Sequence, residues 1–183
     1  MLIAFVLALA AGGAAVLRGG SLDALGRTRM RWPWLAFAGL AVQSVLVLWS
    51  PAWLHDKRAL FITVIANLAL LIFIAGNRRL PGMLIADIGI ALNLLVIVAN
   101  GAMPVSPDAA RSAGIERSPE GLEHEVIGDG TLLPWLGDVI PLPHLREVWS
   151  FGDLFLAVGI ARLVYARTLS ETEATIRTSP VSG

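Results

Sequence analysis

Long apolar runs alternate with short polar links along most of the chain. Five runs have the length and composition that a helix needs to cross a bilayer core of about 30 Å, and none carries the polar stripe of a surface helix. They occupy residues 2–17, 32–49, 59–75, 81–102 and 151–166. The pattern therefore predicts an all-α fold, a polytopic transmembrane helix bundle of about five spans.

A partly ordered segment, residues 103–149, separates the fourth and fifth runs. Residues 106–108 and 118–120 each read Ser-Pro-acid, which is typical of a helix start with a serine N-cap. Residues 131–143 are apolar but too short and too proline-rich to span, so we expect them to lie on the membrane interface. Residues 1–167 form one predicted transmembrane domain, and residues 168–183 a mobile tail.

The distribution of positive charge predicts an orientation. With the N-terminus outside, nine of the 14 Lys and Arg residues fall in cytoplasmic segments, where such residues are enriched. The chain is then expected to cross a membrane with its N-terminus and residues 103–149 on the extracytoplasmic side and its tail in the cytoplasm. The first run could instead be a cleaved signal peptide, but it lacks a basic leader.

Composition removes several classes of function. Hydrophobic residues make up 56% of the chain, and its mean hydropathy is +0.71, which does not suit an ordinary water-exposed surface. The formal net charge is zero and there is no basic block, so nucleic-acid binding is not expected. The absence of cysteine excludes thiol chemistry and disulfides.

Three of the polar residues inside the predicted spans are candidates for mutual contact. Asp87 and Arg162 lie at matching depth from the cytoplasmic ends of the fourth and fifth runs, which predicts an ion pair between them. The alternative is that Arg162 extends to the headgroups while Asn67, across a short hairpin, hydrogen-bonds Asp87.

Four polar residues near the predicted outer surface are candidates for a binding recess between the fourth and fifth runs. They are Asn100, Asp138, His144 and Asp153. The alternative is that such residues only cap helix ends and satisfy buried backbone groups. Ser150 and Asp153, in particular, have the spacing of an N-cap and a first-turn acid.

The sequence predicts neither a metal site nor a cofactor site. His124 lies among Glu120, Glu123 and Glu125, yet no HExxH or similar ligand spacing accompanies it. The glycine pairs match neither a phosphate-binding loop nor a dinucleotide fingerprint.

Three motifs in order, NGAMPVS at 100–106, TLLPWLGDVIPLP at 131–143 and SFGD at 150–153, resemble the DUF5317 family of small bacterial membrane proteins of unknown function. The resemblance implies a location in the bacterial cytoplasmic membrane and no established activity, and it supplies no catalytic residues. We therefore expect a noncatalytic accessory or binding protein whose partners are the bilayer and another membrane protein or a lipid. The alternative is a membrane-embedded enzyme or small-solute carrier that uses the polar recess.

Overall fold

The computed structural model describes residues 2–48, 57–115 and 124–178. Seven α-helices lie in these ranges, together with four three-residue strands. The helices are α1 (Leu2–Leu17), α2 (Leu22–Gly26), α3 (Pro33–Leu48), α4 (Lys57–Gly76), α5 (Met83–Asn100), α6 (Pro107–Ser112) and α7 (Phe151–Thr178). The five predicted runs thus correspond to α1, α3, α4, α5 and the first part of α7, whereas the pattern does not predict the short α2.

The long helices are neighbours in the order α1, α7, α5, α4, α3. A core cluster lies where α4, α5 and α7 meet; it consists of Leu70, Phe73, Ile74, Met83, Ala86, Ile90 and Leu163. Apolar side chains also cover much of the outer surface, and Phe61, Leu84 and Val98 are all exposed. A soluble protein rarely exposes continuous apolar faces of this kind.

Two helices in the described ranges are long and apolar enough to cross a membrane. They are Arg58–Gly76 within α4 and Met83–Asn100, which is α5. The apolar stretches Leu7–Leu17 and Pro33–Leu46 are shorter. Length and composition alone therefore support two spans.

Helices α5 and α7 approach each other through glycine. Gly82, which immediately precedes α5, lies two turns from Gly89 within that helix. Gly152 and Gly159 likewise lie two turns apart on α7. A Cβ at Gly89 would lie 2.5 Å from the Gly152 carbonyl oxygen, and one at Gly159 would lie 2.6 Å from the Ala86 nitrogen. Gly82, with φ of +84°, is even tighter, since a Cβ there would lie 2.0 Å from the Gly159 oxygen. The two backbones are therefore in contact, as small residues allow between packed helices.

The segment between α5 and α7, residues 101–150, is called the connection below. It contains β1 (Met103–Val105), which pairs in parallel with β2 (His124–Val126), and β3 (Ile140–Leu142), which pairs antiparallel with β4 (Glu147–Trp149). A further bridge joins Val105 to Asp138. The fold is therefore mostly helical rather than all-α. Three-residue strands that contain Pro104 and Pro141 lack the alternation by which strands are predicted.

The predicted helix start at residues 106–108 is confirmed. The Ser106 hydroxyl accepts a hydrogen bond from the Ala109 N–H at 3.2 Å, and Pro107 occupies the first position of α6. Gly101, with φ of +87°, ends α5 and donates its N–H to the Ile97 carbonyl. The second predicted start, residues 118–120, lies outside the described residues.

Helix α7 extends beyond the predicted boundary at residue 167. Thr168 is fully buried, and its carbonyl accepts the Ser21 N–H at 2.8 Å. A Cβ at Gly20 would lie 2.6 Å from the same oxygen, so the link between α1 and α2 packs directly on α7. The tail predicted to begin at residue 168 is therefore helical through Thr178.

We predict that Gly159→Ala destabilises the protein by about 1–3 kcal/mol, the usual cost of overpacking a tight contact. The added methyl group would meet backbone atoms of α5, which cannot move independently of the helix. Gly13→Ala on α1 is the matched control, since its Cβ would meet nothing within 4 Å. Thermal unfolding of the purified variants in detergent measures the difference. Equal unfolding temperatures for the two variants would contradict the proposed role of the glycine contact.

Candidate functional site

The start of α7 is fixed by a reciprocal cap. The Ser150 hydroxyl accepts the Asp153 N–H at 3.0 Å, and Asp153 Oδ2 accepts the Ser150 N–H at 3.0 Å. This is the capping-box arrangement, in which two otherwise unpaired N–H groups at a helix start are satisfied by side chains. The predicted roles of Ser150 as cap and Asp153 as first-turn acid are confirmed.

Asn93 connects this cap to the middle of α5. Its Nδ2 donates to Asp153 Oδ1 at 3.0 Å, and its Oδ1 lies 2.8 Å from the Ser150 hydroxyl. Gly152 makes the approach possible, because a Cβ there would lie 1.9 Å from Asn93 Oδ1. The three polar side chains therefore form one network that joins two helices. The seven-residue spacing of Asn93 and Asn100 predicts that both face the bundle, but it does not identify Asn93 as part of this network.

Asp138 is the buried carboxylate of the connection. Its main chain is held by β1: the Asp138 N–H donates to the Pro104 carbonyl at 2.8 Å, and its own carbonyl accepts the Ser106 N–H at 2.9 Å. Its Oδ2 lies 3.5 Å from His124 Nε2. The side chain of His124 is 40% exposed, whereas that of Asp138 is 9% exposed. The pair thus joins a buried acid to a histidine that reaches solvent.

Burial raises the pKa of the Asp138 carboxyl above its ordinary value. The hydrogen bond with His124 lowers this pKa, and the negative charge of Asp153 raises it. The Val139 N–H donates to the Trp149 carbonyl at 3.1 Å, so the main chain next to Asp138 lies beside the start of α7. Asp138 and Asp153, two of the four predicted recess residues, therefore belong to one region.

Of the other two predicted recess residues, one binds main chain and the other is exposed. Asn100 binds main chain: its Oδ1 accepts the Leu132 N–H at 2.7 Å, and its Nδ2 donates to the Leu132 and Val96 carbonyls at 2.9 Å. His144 is exposed in the turn between β3 and β4. Asn100 therefore holds the connection against the end of α5. The histidine that contacts Asp138 is His124 and not His144.

The predicted intramembrane pair is not formed among the described residues. Arg162 is exposed, and its Cβ lies beside Gly82 on the α5–α7 contact. Asp87 follows Ala86, which faces Gly159, and is therefore turned about 100° around α5 away from that contact. Asn67 is buried and donates to the Thr63 carbonyl of its own helix at 2.9 Å. The two residues also differ in depth, because Arg162 lies beside Gly82 at the start of α5, whereas Asp87 lies five residues, about 7.5 Å of helical rise, further along that helix.

The hydroxyl of Ser150 is occupied by the network that caps α7. Ser150 is fully buried and its hydroxyl is engaged by Asn93 and Asp153, so it is not placed to act as a nucleophile. A buried carboxylate beside an exposed imidazole can orient the ring and hold a proton. In the described part of the chain, no group of three His, Asp and Glu residues is placed to hold a metal ion.

These features define a mostly helical protein with two helices long and apolar enough to cross a membrane and, between α5 and α7, a connection whose described residues include four short strands. A model of a family of unknown function, DUF5317, matches residues 27–165, and the chain belongs to this family. The match includes all three motifs on which the resemblance was based. Comparisons with curated proteins and with solved structures found no match.

We predict that Asp138→Asn raises the unfolding temperature at pH 8 and that this gain disappears as the pH falls towards 4. The folded-state pKa of Asp138 lies above the ordinary value of 3.8, so its ionised form costs stability. The loss of unfolding free energy is complete when the pH lies above the folded-state pKa of Asp138. It is relieved as the pH falls from that pKa to the ordinary value of 3.8. A gain of 1 kcal/mol corresponds to about 2–4 °C in a chain of this size.

Thermal unfolding of the wild type and the variant between pH 4 and pH 8 measures this difference. Asp129→Asn is the control, because it removes a carboxylate from an exposed turn of the same connection. A constant difference across this pH range, or a wild type that is the more stable at pH 8, would contradict the prediction.

Proposed function

We propose that the protein is a noncatalytic accessory or binding protein of the bacterial cytoplasmic membrane. It crosses the membrane about five times, with its N-terminus outside, and presents the connection as a recognition surface on the outer face. Its partner is another membrane protein or a lipid. The observation that carries the proposal is that polar side chains bind main-chain groups in the described part of the connection, while two large apolar side chains, Leu132 and Trp135, face outward.

The polar groups of the connection bind its own backbone and neighbouring helices. Asn100 binds Leu132 through both the N–H and the carbonyl, and Ser150 and Asp153 cap α7. Two large apolar side chains remain exposed, Leu132 at 57% and Trp135 at 60%. A rigid surface with an exposed tryptophan is suited to recognition, because little conformational entropy is lost on binding and aromatic residues dominate interface energies.

The proposed membrane arrangement is supported by the apolar outer faces of the helices and by the distribution of arginine. Two helices have the length to span, and α1, α3 and the first part of α7 are also apolar. The arginines cluster in the links at the end of the bundle remote from the connection, which favours a cytoplasmic location for that end.

We predict that a cysteine at position 130 is labelled from outside intact cells, whereas one at position 26 is labelled only after the membrane is permeabilised. Gly130→Cys and Gly26→Cys form a matched pair, because both glycines are exposed and a Cβ at either meets nothing within 4 Å. The chain has no cysteine of its own to add background. A membrane-impermeant maleimide makes the measurement. The reverse labelling pattern would overturn the proposed orientation.

We predict that a photocrosslinking amino acid at Trp135 forms a discrete adduct with a protein or a lipid in living cells. The same amino acid at Asp129, an exposed polar position of the same connection, is the control. Gel mobility and mass spectrometry of the purified adduct identify its partner class. Equal, diffuse labelling at the two positions would show that Trp135 is not part of a recognition surface.

One observation favours a second candidate, a membrane-embedded enzyme or small-solute carrier with a polar recess. The contact between His124 and Asp138 could move a proton at the edge of the connection. Of the recess predicted from Asn100, Asp138, His144 and Asp153, Asp138 takes part in this contact, Asn100 binds the Leu132 main chain and His144 is exposed. The recess itself stays a prediction. Loss of a transported or converted solute on His124→Gln, with folding unchanged, would favour this candidate.

A further inference from the structure

Two loops at one end of the bundle are clamped together by the side chain of Asn77. Its Oδ1 accepts the Arg31 N–H at 2.8 Å, and its Nδ2 donates to the Arg31 carbonyl at 2.9 Å and to the Phe73 carbonyl at 2.7 Å. Asn77 itself is buried. The link before α3 is therefore fixed against the turn between α4 and α5, which continues with Arg78 and Arg79.

This clamp gathers four exposed arginines, called the arginine face below: Arg29, Arg31, Arg78 and Arg79. None of the four forms an ion pair with an acidic residue in the described part of the chain. Like charges held close together repel one another. A bound anion offsets this repulsion, so the cluster of arginines favours anion binding. Guanidinium groups present paired donors that match the oxygen atoms of a phosphate.

Apolar aromatic side chains continue directly from the arginine face. The Arg31 guanidinium lies 4.7 Å from the centre of the Trp32 ring, and that ring packs on Gly76. Further along α3, Trp34 is 62% exposed and Phe37 is 74% exposed. These two residues are three apart and so share a helix face. Positive charge above an exposed aromatic face suits a ligand that has both a phosphate and a hydrocarbon chain.

We infer that the arginine face binds the phosphate of an anionic phospholipid, whose acyl chain lies along Trp34 and Phe37. The inference rests on the proposed membrane location and adds a specific lipid site to it. Free inorganic phosphate offers the same anion but lacks the chain that the aromatic face would contact. Clusters of basic residues next to membrane helices are a recurrent means of binding anionic headgroups.

The test uses the full-length protein purified in a neutral detergent, in which membrane orientation plays no part. Its unfolding temperature and its lipid adducts in native mass spectrometry are measured with phosphatidylglycerol, with phosphatidylcholine and with inorganic phosphate. Phosphatidylglycerol is expected to raise the unfolding temperature and to remain bound, whereas the other two additions have little effect. Equal effects of the two lipids, or of phosphate and phosphatidylglycerol, would overturn the inference.

Two variants locate the site. R78Q with R79Q is expected to weaken phosphatidylglycerol binding about tenfold or more, because each basic residue near an anionic lipid surface contributes substantially to binding. R78K with R79K keeps the charge and is expected to retain part of the affinity. R111Q is the control, since Arg111 is an exposed arginine that pairs with Asp108 in the connection. Wild-type affinity in R78Q with R79Q, or equal loss in R111Q, would overturn the inference.

The phosphatidylglycerol-binding test and the test of the proposed membrane arrangement can fail independently of each other. Cysteine labelling at positions 26 and 130 reports membrane arrangement without any reference to lipid class. Correct labelling together with no preference for phosphatidylglycerol would reject the lipid site alone.

Discussion

The close contact of α5 and α7 is the constraint on which the rest of the structure depends. Glycine at four positions lets the two backbones meet, and no other residue would fit at Gly152 beside Asn93. Helices in lipid gain little from the hydrophobic effect when they associate, so close van der Waals packing and interhelical hydrogen bonds become the main stabilising terms. The contact also fixes the distance between the two ends of the connection.

The position of the connection follows from that contact. Because α7 begins beside the second half of α5, β1 and the residues before β3 can meet, and the Val105–Asp138 bridge forms between them. Asn93, Ser150 and Asp153 tie the start of α7 to α5, about 10 Å below Asn100 by helical rise. Helix packing thus positions the proposed recognition surface, and the buried cluster of Val96, Met103 and Leu136 joins the connection to α5.

The sequence predicted those features that depend on local pattern. Helices α4 and α5 follow from the length of the apolar runs, and the cap of α7 follows from the spacing of Ser150 and Asp153. Features that depend on tertiary register were not predictable. His124 and Asp138 are 14 residues apart, and they meet because β2 pairs with β1, which in turn bridges Asp138. Asp87 and Arg162 lie at similar distances from the ends of their apolar runs, but the glycine contact sets Arg162 beside Gly82, about 7.5 Å of helical rise from Asp87 along α5.

The clamp at Asn77 has a consequence for how the chain can vary. It recognises residue 31 only through main-chain atoms, the N–H and the carbonyl, which every residue except proline can provide. The side chain of residue 31 therefore takes no part in the hydrogen bonds that hold the two loops together. Relatives or engineered versions could change the charge of that end of the molecule step by step while they keep the same architecture.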